Sequence, residues 1–351
     1  MKKGQVSIQF NWIYILIIGG IILLAGISIV PKLKRTATES YVTDVKTYTD
    51  LILKTTQLNV QSENLVELGG ARFEFTCGYY TIEESEIGHV EIRDVIFSPD
   101  TISGKMLGYS KYFQLPFKSE FFTYITSNQV KYVLKDSPEM AALNTSLPSN
   151  IDKTTVRNYR EIDNENYDKI RYITFEENPR VSQLGSLKNI DDKDVSLVQI
   201  TPIDPGFSSF SNGDLFESRF KNEYRIYDFG RVTYYIKQGN NFVPIGDVYY
   251  VDEASLIAAI YSEDPTRYKC GMKRAFEKLK KVAETRLDRV EKLSSLQQCP
   301  YSNAKVRLNE IIRLTTDIKH TKAHYNELYN YAIVLVKDNK VLVKLSCPPV
   351  Y

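Results

Sequence analysis

Between Lys3 and Lys32 the chain runs through 28 consecutive residues without a Lys, Arg, Asp or Glu. Within that stretch Phe10 to Val30, FNWIYILIIGGIILLAGISIV, is broken by little beyond Asn11, two adjacent glycines and Ser28. Twenty-one residues at about 1.5 Å each make about 31 Å of helix, the thickness of a hydrocarbon core of about 30 Å. Trp12 and Tyr14 stand at one end, where amphipathic rings sit at the headgroup level, and Lys32, Lys34 and Arg35 close the other. The expectation is a transmembrane helix over residues 10–30 and a single-pass protein in contact with membrane lipid. Charge does not orient it, because Lys2, Lys3 and the α-amino group nearly balance Lys32, Lys34 and Arg35.

Outside this segment the composition is that of a folding globular protein, with 25% charged and 43% hydrophobic residues. A chain of 351 residues has room for about two ordinary domains. Lys and Arg total 45 against 43 Asp and Glu, a net charge of +2. That balance removes the concentrated basic face a dedicated nucleic-acid binder uses to displace counterions, so no nucleic-acid partner is expected.

A cleaved secretory signal with Lys2 and Lys3 as its basic region fits poorly. The apolar run exceeds the usual 7–15 residues, and no small-x-small site follows it cleanly. The stub over residues 1–9 offers a better account. Lys2-Lys3-Gly4-Gln5-Val6-Ser7-Ile8-Gln9-Phe10 resembles the class III signal peptide of archaeal type IV pilin-like proteins. The resemblance implies that a prepilin-type peptidase cuts between Gly4 and Gln5 and leaves the apolar helix on the mature protein. It also implies homo- or hetero-oligomers assembled through that helix, where Asn11, Gly19, Gly20 and Gly26 suit close packing. Gln5-x-Ser7 fits the family pattern. Gln9 stands where the family usually carries Glu, so the charge that pairs with a neighbouring subunit's terminus is missing. The resemblance covers residues 1–35 only, and the alternative is an uncleaved signal anchor.

Beyond the membrane segment, Tyr41, Val45, Tyr48, Ile52 and Thr55 recur at helical spacing, so residues 31–68 read as an amphipathic stalk helix ending before Gly69-Gly70. Residues 71–250 then read as a mixed α/β ectodomain. Candidate strands are Arg72–Thr76, Val90–Phe97, Gln129–Leu134, Lys169–Phe175 and Val195–Thr201. Val232–Ile236 and Phe242–Ile245 flank a Gly239-Asn240 turn. Ser137-Pro138-Glu139 opens a short helix, and the polar stretch Pro148–Asn166 reads as a loop.

Residues 252–351 form the C-terminal part. Asp252-Glu253-Ala254-Ser255 caps a short helix, and Asp264-Pro265 opens a long one carrying Tyr268, Met272, Phe276, Leu279, Ala283, Leu287, Val290 and Leu293 at 3–4 spacing. Leu308, Ile311, Thr315, Ile318, Tyr325 and Leu328 make a second stripe, and the two long helices give an αα-hairpin. The tail Ala332–Leu345 reads as a strand hairpin turning at Asp338-Asn339 or as a third helix, with its valines favouring strands. The fold class is therefore α+β, or α/β.

Four cysteines, Cys77, Cys270, Cys299 and Cys347, include no C-x-x-C pair, so zinc ribbons and thioredoxin chemistry have no support. An even count on a tethered domain suggests two disulfides, the alternative being four buried thiols. A helix from Pro265 to Leu293 would separate Cys270 from Cys299 by roughly 40 Å, too far for a bond needing Cα atoms within about 7 Å. Cys347 is then expected to pair with one of them and Cys77 with the other. Such a domain belongs outside the cytoplasm, with the N-terminal stub inside. Asn144-Thr145-Ser146 is a glycosylation sequon, expected in a loop on that side.

Catalytic chemistry finds little purchase. His320 and His324 lie four apart on the second long helix, as zinc ligands do, with Asp317 and Glu327 on the same face. No glutamate follows the first histidine, and the face points away from the Ile311/Ile318/Tyr325 stripe toward solvent, so they are weak metal candidates. No nucleophile elbow, phosphate loop or dinucleotide fingerprint occurs, and the chain is not expected to be an enzyme or to hold a cofactor. Glu83-Glu84-Ser85-Glu86 and Asp191-Asp192-Lys193-Asp194 read as solvated loops. Two roles fit: a minor or specialised pilin-like surface component, or an anchored binding or sensory ectodomain or surface enzyme.

Overall fold

The structure is a computed structural model. It describes residues 15–24, 27–28, 43, 47, 63–68, 70–83, 89–92, 94–159, 167–177, 190–204, 227–239, 241–296 and 299–351. Gly4, Gln5, much of the expected membrane segment and nearly all of the expected stalk lie outside them. Residues 15–24 and 27–28 are helical, with Ile15, Leu16, Ile22 and Leu24 all exposed. Among the described residues no helix is long and apolar enough to cross a membrane.

The fold is mixed α+β. A four-stranded sheet has the order β1 (Asn64–Glu67), β7 (Lys105–Gln114), β8 (Lys118–Ser127), β5 (Val95–Phe97). A second has the order β4 (Val90–Glu91), β3 (Tyr79–Ile82), β2 (Phe73–Thr76), β6 (Thr101–Ile102). The third is six-stranded: β10 (Lys153–Val156), β9 (Val130–Lys135), β11 (Lys169–Thr174), β12 (Val195–Pro202), β13 (Gly230–Gln238), β14 (Asn241–Tyr250). Its first four strands are mutually parallel, and β13 and β14 add an antiparallel hairpin.

The inner parallel strands β11 and β12 are buried on both faces, as strands covered on both sides are. Along β9, β11 and β12, Tyr132, Leu134, Ile173, Val198 and Ile200 join the main core, while Val133, Ile170, Tyr172, Val195 and Leu197 build a separate cluster on the opposite face. A fully buried Ile on either face contributes about 1.5–3 kcal/mol relative to exposure. The sheet of β4, β3, β2 and β6 has its own cluster, centred on Phe73, Phe75, Tyr80 and Ile102.

The helices are α1 (Pro138–Ser146), α2 (Glu253–Tyr261), α3 (Pro265–Leu296), α4 (Ser302–Thr316) and α5 (Lys322–Lys344). Ser137 caps α1 by accepting the Met140 N–H at 3.1 Å, with Pro138 entering the first turn as expected. A capping box closes α2: Asp252 accepts from Ser255 N at 2.8 Å, and Ser255 Oγ accepts from Asp252 N at 3.0 Å. Every residue of α2 from Ala254 to Tyr261 is buried, so this is an interior helix. Burial pushes the Asp252 carboxyl up to about 6, against its hydrogen bonds from Gln114 and Ser255. The α3 stripe faces the core as its spacing predicts, with Tyr268, Met272, Phe276 and Leu279 wholly buried. Gly271 lets α3 approach β5, since a Cβ there would lie 2.4 Å from Phe97 Cε1.

Several expectations are corrected. Residues 64–67, placed in the stalk helix, form β1 against β7. Val90–Phe97 is not one strand: β4 and β5 belong to different sheets. The polar stretch Pro148–Asn166 contains β10, paired to β9. The second long helix is two, because Asp317 leaves helical geometry and Thr321 caps a new helix, accepting from His324 N at 3.4 Å. The tail Ala332–Leu345 continues that helix as far as Lys344 rather than forming strands. Leu328, Ala332, Leu335 and Leu342 enter the core at helical spacing, and their burial overrides the β preference of the valines.

Candidate functional site

Strand order defines where a crevice opens. The connection leaving β9 passes through α1 to β10 on one side, whereas β11 leads to β12 on the other. Neighbouring parallel strands whose outgoing connections diverge leave a gap beyond their carboxyl ends, the usual ligand position in open parallel sheets. A crevice of about 230 Å³ lies there, lined by Lys135, Ser137, Glu139, Thr174, Phe175, Glu176 and Pro202. Lys135, Thr174 and Pro202 are the last residues of β9, β11 and β12, and Ser137 and Glu139 begin α1.

The rim is held from behind. Lys135 Nζ donates to Arg157 O at 2.6 Å and lies 3.4 Å from Glu176 Oε1. Buried Gln199 donates to the carbonyls of Glu176 (2.8 Å) and Glu177 (2.7 Å), and its Oε1 accepts from the Tyr235 hydroxyl at 2.7 Å. Thr174 Oγ1 accepts from Glu176 N at 3.0 Å. The turn after β11 is thereby fixed, and one ammonium, two carboxylates and two hydroxyls converge beside the Phe175 ring. That set can hold a small polar molecule carrying both charges.

A second polar constellation is buried. Arg171 lies on β11, two residues from Ile173 and on the same face, and is 3% exposed. Its Nη1 donates to Ile260 O at 2.7 Å and Ser262 O at 2.5 Å, its Nη2 to Glu263 O at 3.2 Å, and its Nε to Ser196 Oγ at 3.1 Å. The guanidinium thus satisfies carbonyls at the end of α2 that the helix itself cannot. Glu263 Oε2 lies 3.2 Å from Lys169 Nζ and 3.4 Å from Arg171 Nη2, and Lys169 also pairs with Asp100. Burial pushes the Asp100 carboxyl up, but Lys169 and Arg267 outweigh it and hold the group below its ordinary range. This network ties β11 to the α2–α3 corner and to the loop before β6. Its cations are engaged by protein partners, and Glu263 Oε2 is buried against the two of them without a hydrogen bond of its own.

The residues singled out from the sequence are scattered. All four cysteines are bonded, Cys77 to Cys270 and Cys299 to Cys347, with Cα separations of 6.1 and 5.9 Å. That pairing satisfies the distance argument against Cys270–Cys299. His320 and His324 do not share a helix, since His320 precedes α5 and His324 lies in its first turn. His324 is 7% exposed rather than solvent-facing, because its Nε2–H donates to Leu314 O at 3.0 Å. His320 Nδ1 is hydrogen-bonded to the Tyr325 hydroxyl at 3.0 Å. Burial lowers both imidazole pKa values, reinforced at His320 by Lys269 and Lys273. Among the described residues no group of three or more His, Cys, Asp or Glu side chains could hold a metal ion. Asn144 is not in a loop but in the last turn of α1, half-buried with its Oδ1 enclosed.

Comparison with protein-family models, with curated proteins and with solved structures finds no match for this chain.

Proposed function

We propose that this protein is a single-pass membrane protein, anchored by residues 10–30, with its N-terminus in the cytoplasm and its α+β domain displayed outside. We infer further that it is a minor or specialised pilin-like surface component, cut between Gly4 and Gln5 and able to associate through its N-terminal helix. The observation that carries this reading is the joint presence of a 28-residue uncharged run and a full complement of disulfides in one chain. Disulfides persist on the oxidising side of a membrane, and the run is long enough to reach across one. The domain beyond Arg35 is larger than a major pilin usually carries, which favours a specialised role.

Mass spectrometry of the protein from its native membrane tests it. A mature chain beginning at Gln5 is expected, and Gly4→Leu should retain the stub. A chain beginning at Met1 or Lys2 overturns the pilin-type processing and leaves only an anchor.

The switch-point crevice favours a second reading, an anchored domain that binds a small zwitterion such as a free amino acid. At 100 times Kd a ligand stabilises by about 2.7 kcal/mol. Thermal unfolding against the common amino acids, each at 10 mM (a dose of about 100 Kd for a site near 0.1 mM), should then raise the midpoint for at least one. Lys135→Met with Glu176→Gln should abolish that rise. A flat response to all of them removes this reading.

A further inference from the structure

The two disulfides sit in different surroundings. Cys347 is 8% exposed and belongs to the main core, and half-buried Cys299 packs against it. Cys77 is exposed at the β2–β3 turn, which it forms with Gly78 at φ +93°. Its partner Cys270 is half-buried on α3. Within four residues of Cys270 on that helix stand Arg267, Lys269, Lys273 and Arg274, and no carboxylate. Arg267 and Arg274, three and four residues away, share the helical face of Cys270.

Both guanidiniums are turned toward the Cys77 side of the bond. Arg267, Arg274, Cys77 and Gly78 line one small pocket. Arg267 Nη1 donates to Phe75 O, two residues before Cys77. Arg274 Nη2 donates to Ile92 O at 2.5 Å, and its Nη1 comes within 3.6 Å of the Gly78 Cβ position. The acids on this side are Asp264, 3.3 Å from Arg267 Nε, Asp100, and Glu91, which pairs with Tyr79 beside the turn, against the four cations Arg267, Lys269, Lys273 and Arg274.

We propose that Cys77–Cys270 is a thiol-exchange site, opened by small anionic thiols, while Cys299–Cys347, packed into the main core, exchanges slowly. The external thiolate attacks exposed Cys77 Sγ. The bond between Cys77 and Cys270 breaks, and its electron pair leaves on Cys270 Sγ as a thiolate held by the cationic face of α3. A mixed disulfide remains on Cys77. A second external thiol can then attack it, releasing Cys77 as a thiol and the reagent as its own disulfide. A positive neighbourhood lowers a thiol's pKa, and a leaving thiol of lower pKa departs faster. The same cations attract carboxylates on the incoming thiol. Opening frees the β2–β3 turn from its covalent tie to α3.

The test is a time course on the folded, oxidised protein with glutathione, which carries net negative charge, and with cysteamine, which is cationic. Free thiols are trapped by alkylation and mapped by peptide mass. Cys77–Cys270 should open at least about tenfold faster than Cys299–Cys347 with glutathione, leaving the adduct on the Cys77 peptide. Arg267→Gln with Arg274→Gln should slow this about tenfold with glutathione and much less with cysteamine. Arg267→Lys with Arg274→Lys keeps the charge but loses the planar fork, and should stay near the wild-type rate, which a purely structural role of the arginines would not allow. Equal opening of both bonds, prior opening of Cys299–Cys347, or a rate indifferent to the glutamine pair would overturn the proposal.

Discussion

Replacing Arg171 by methionine is expected to lower the unfolding free energy by about 3–5 kcal/mol, the cost of breaking a buried charge pair by removing one partner. Methionine fills the space but donates nothing. The carbonyls of Ile260 and Ser262 lose their Arg171 donor, and Glu263 keeps only Lys169 against its charge. Arg171→Lys should recover little, because an ammonium cannot reach two carbonyls and Ser196 in one planar geometry. Glu263→Gln added to Arg171→Met should give a double variant less destabilised than the sum of the singles, since the two side chains share one network. Denaturant midpoints at constant slope measure each term. A loss below about 1 kcal/mol for Arg171→Met would refute this account of the α2 terminus.

The paired exchange Cys77→Ser and Cys270→Ser should cost about 5 kcal/mol, and Cys299→Ser with Cys347→Ser about 4 kcal/mol, on the loop-closure model of disulfide stabilisation. The order follows from separations of 193 and 48 residues. The first pair should also loosen one region selectively. The sheet of β2, β3, β4 and β6 has its own small apolar cluster, so amides around Phe73 and Tyr80 should lose hydrogen-exchange protection before those of β11 and β12. Equal losses of protection in both sheets would contradict the separation of the clusters.

Much of this architecture was legible where chemistry is local. Ser137-Pro138, Asp252 and Asp264-Pro265 mark helix starts by capping and by proline's fixed φ, and α3 follows from its apolar spacing. The length of α3 alone was enough to forbid one cysteine pairing. What escaped was decided by burial. In β7, KMLGYSKYFQ, five successive residues are buried, so no alternation betrays a strand. Arg171 reads as an ordinary polar residue in KIRYITF, because its partners lie about 90 residues away at the end of α2. The crevice joins the ends of β9, β11 and β12, and its position depends on strand order. β11, and β12 as far as Ile200, are buried without a break although Lys169, Arg171, Ser196 and Gln199 interrupt their apolar residues, so neither the parallel sheet nor which neighbours diverge is stated by the pattern.

The order of the cysteines along the chain has a consequence for biogenesis. Cys77 leaves the ribosome first and waits for Cys270, 193 residues later. At about 5–20 residues per second that is a delay of roughly 10–40 s. Throughout it the nascent chain offers Cys77 no competitor, and Cys299 appears only after the first match is possible. Cys77 and Cys270 are therefore each other's first available partners, and once they are joined Cys299 has Cys347 as its one remaining mate, so the order of emergence favours the native pairing.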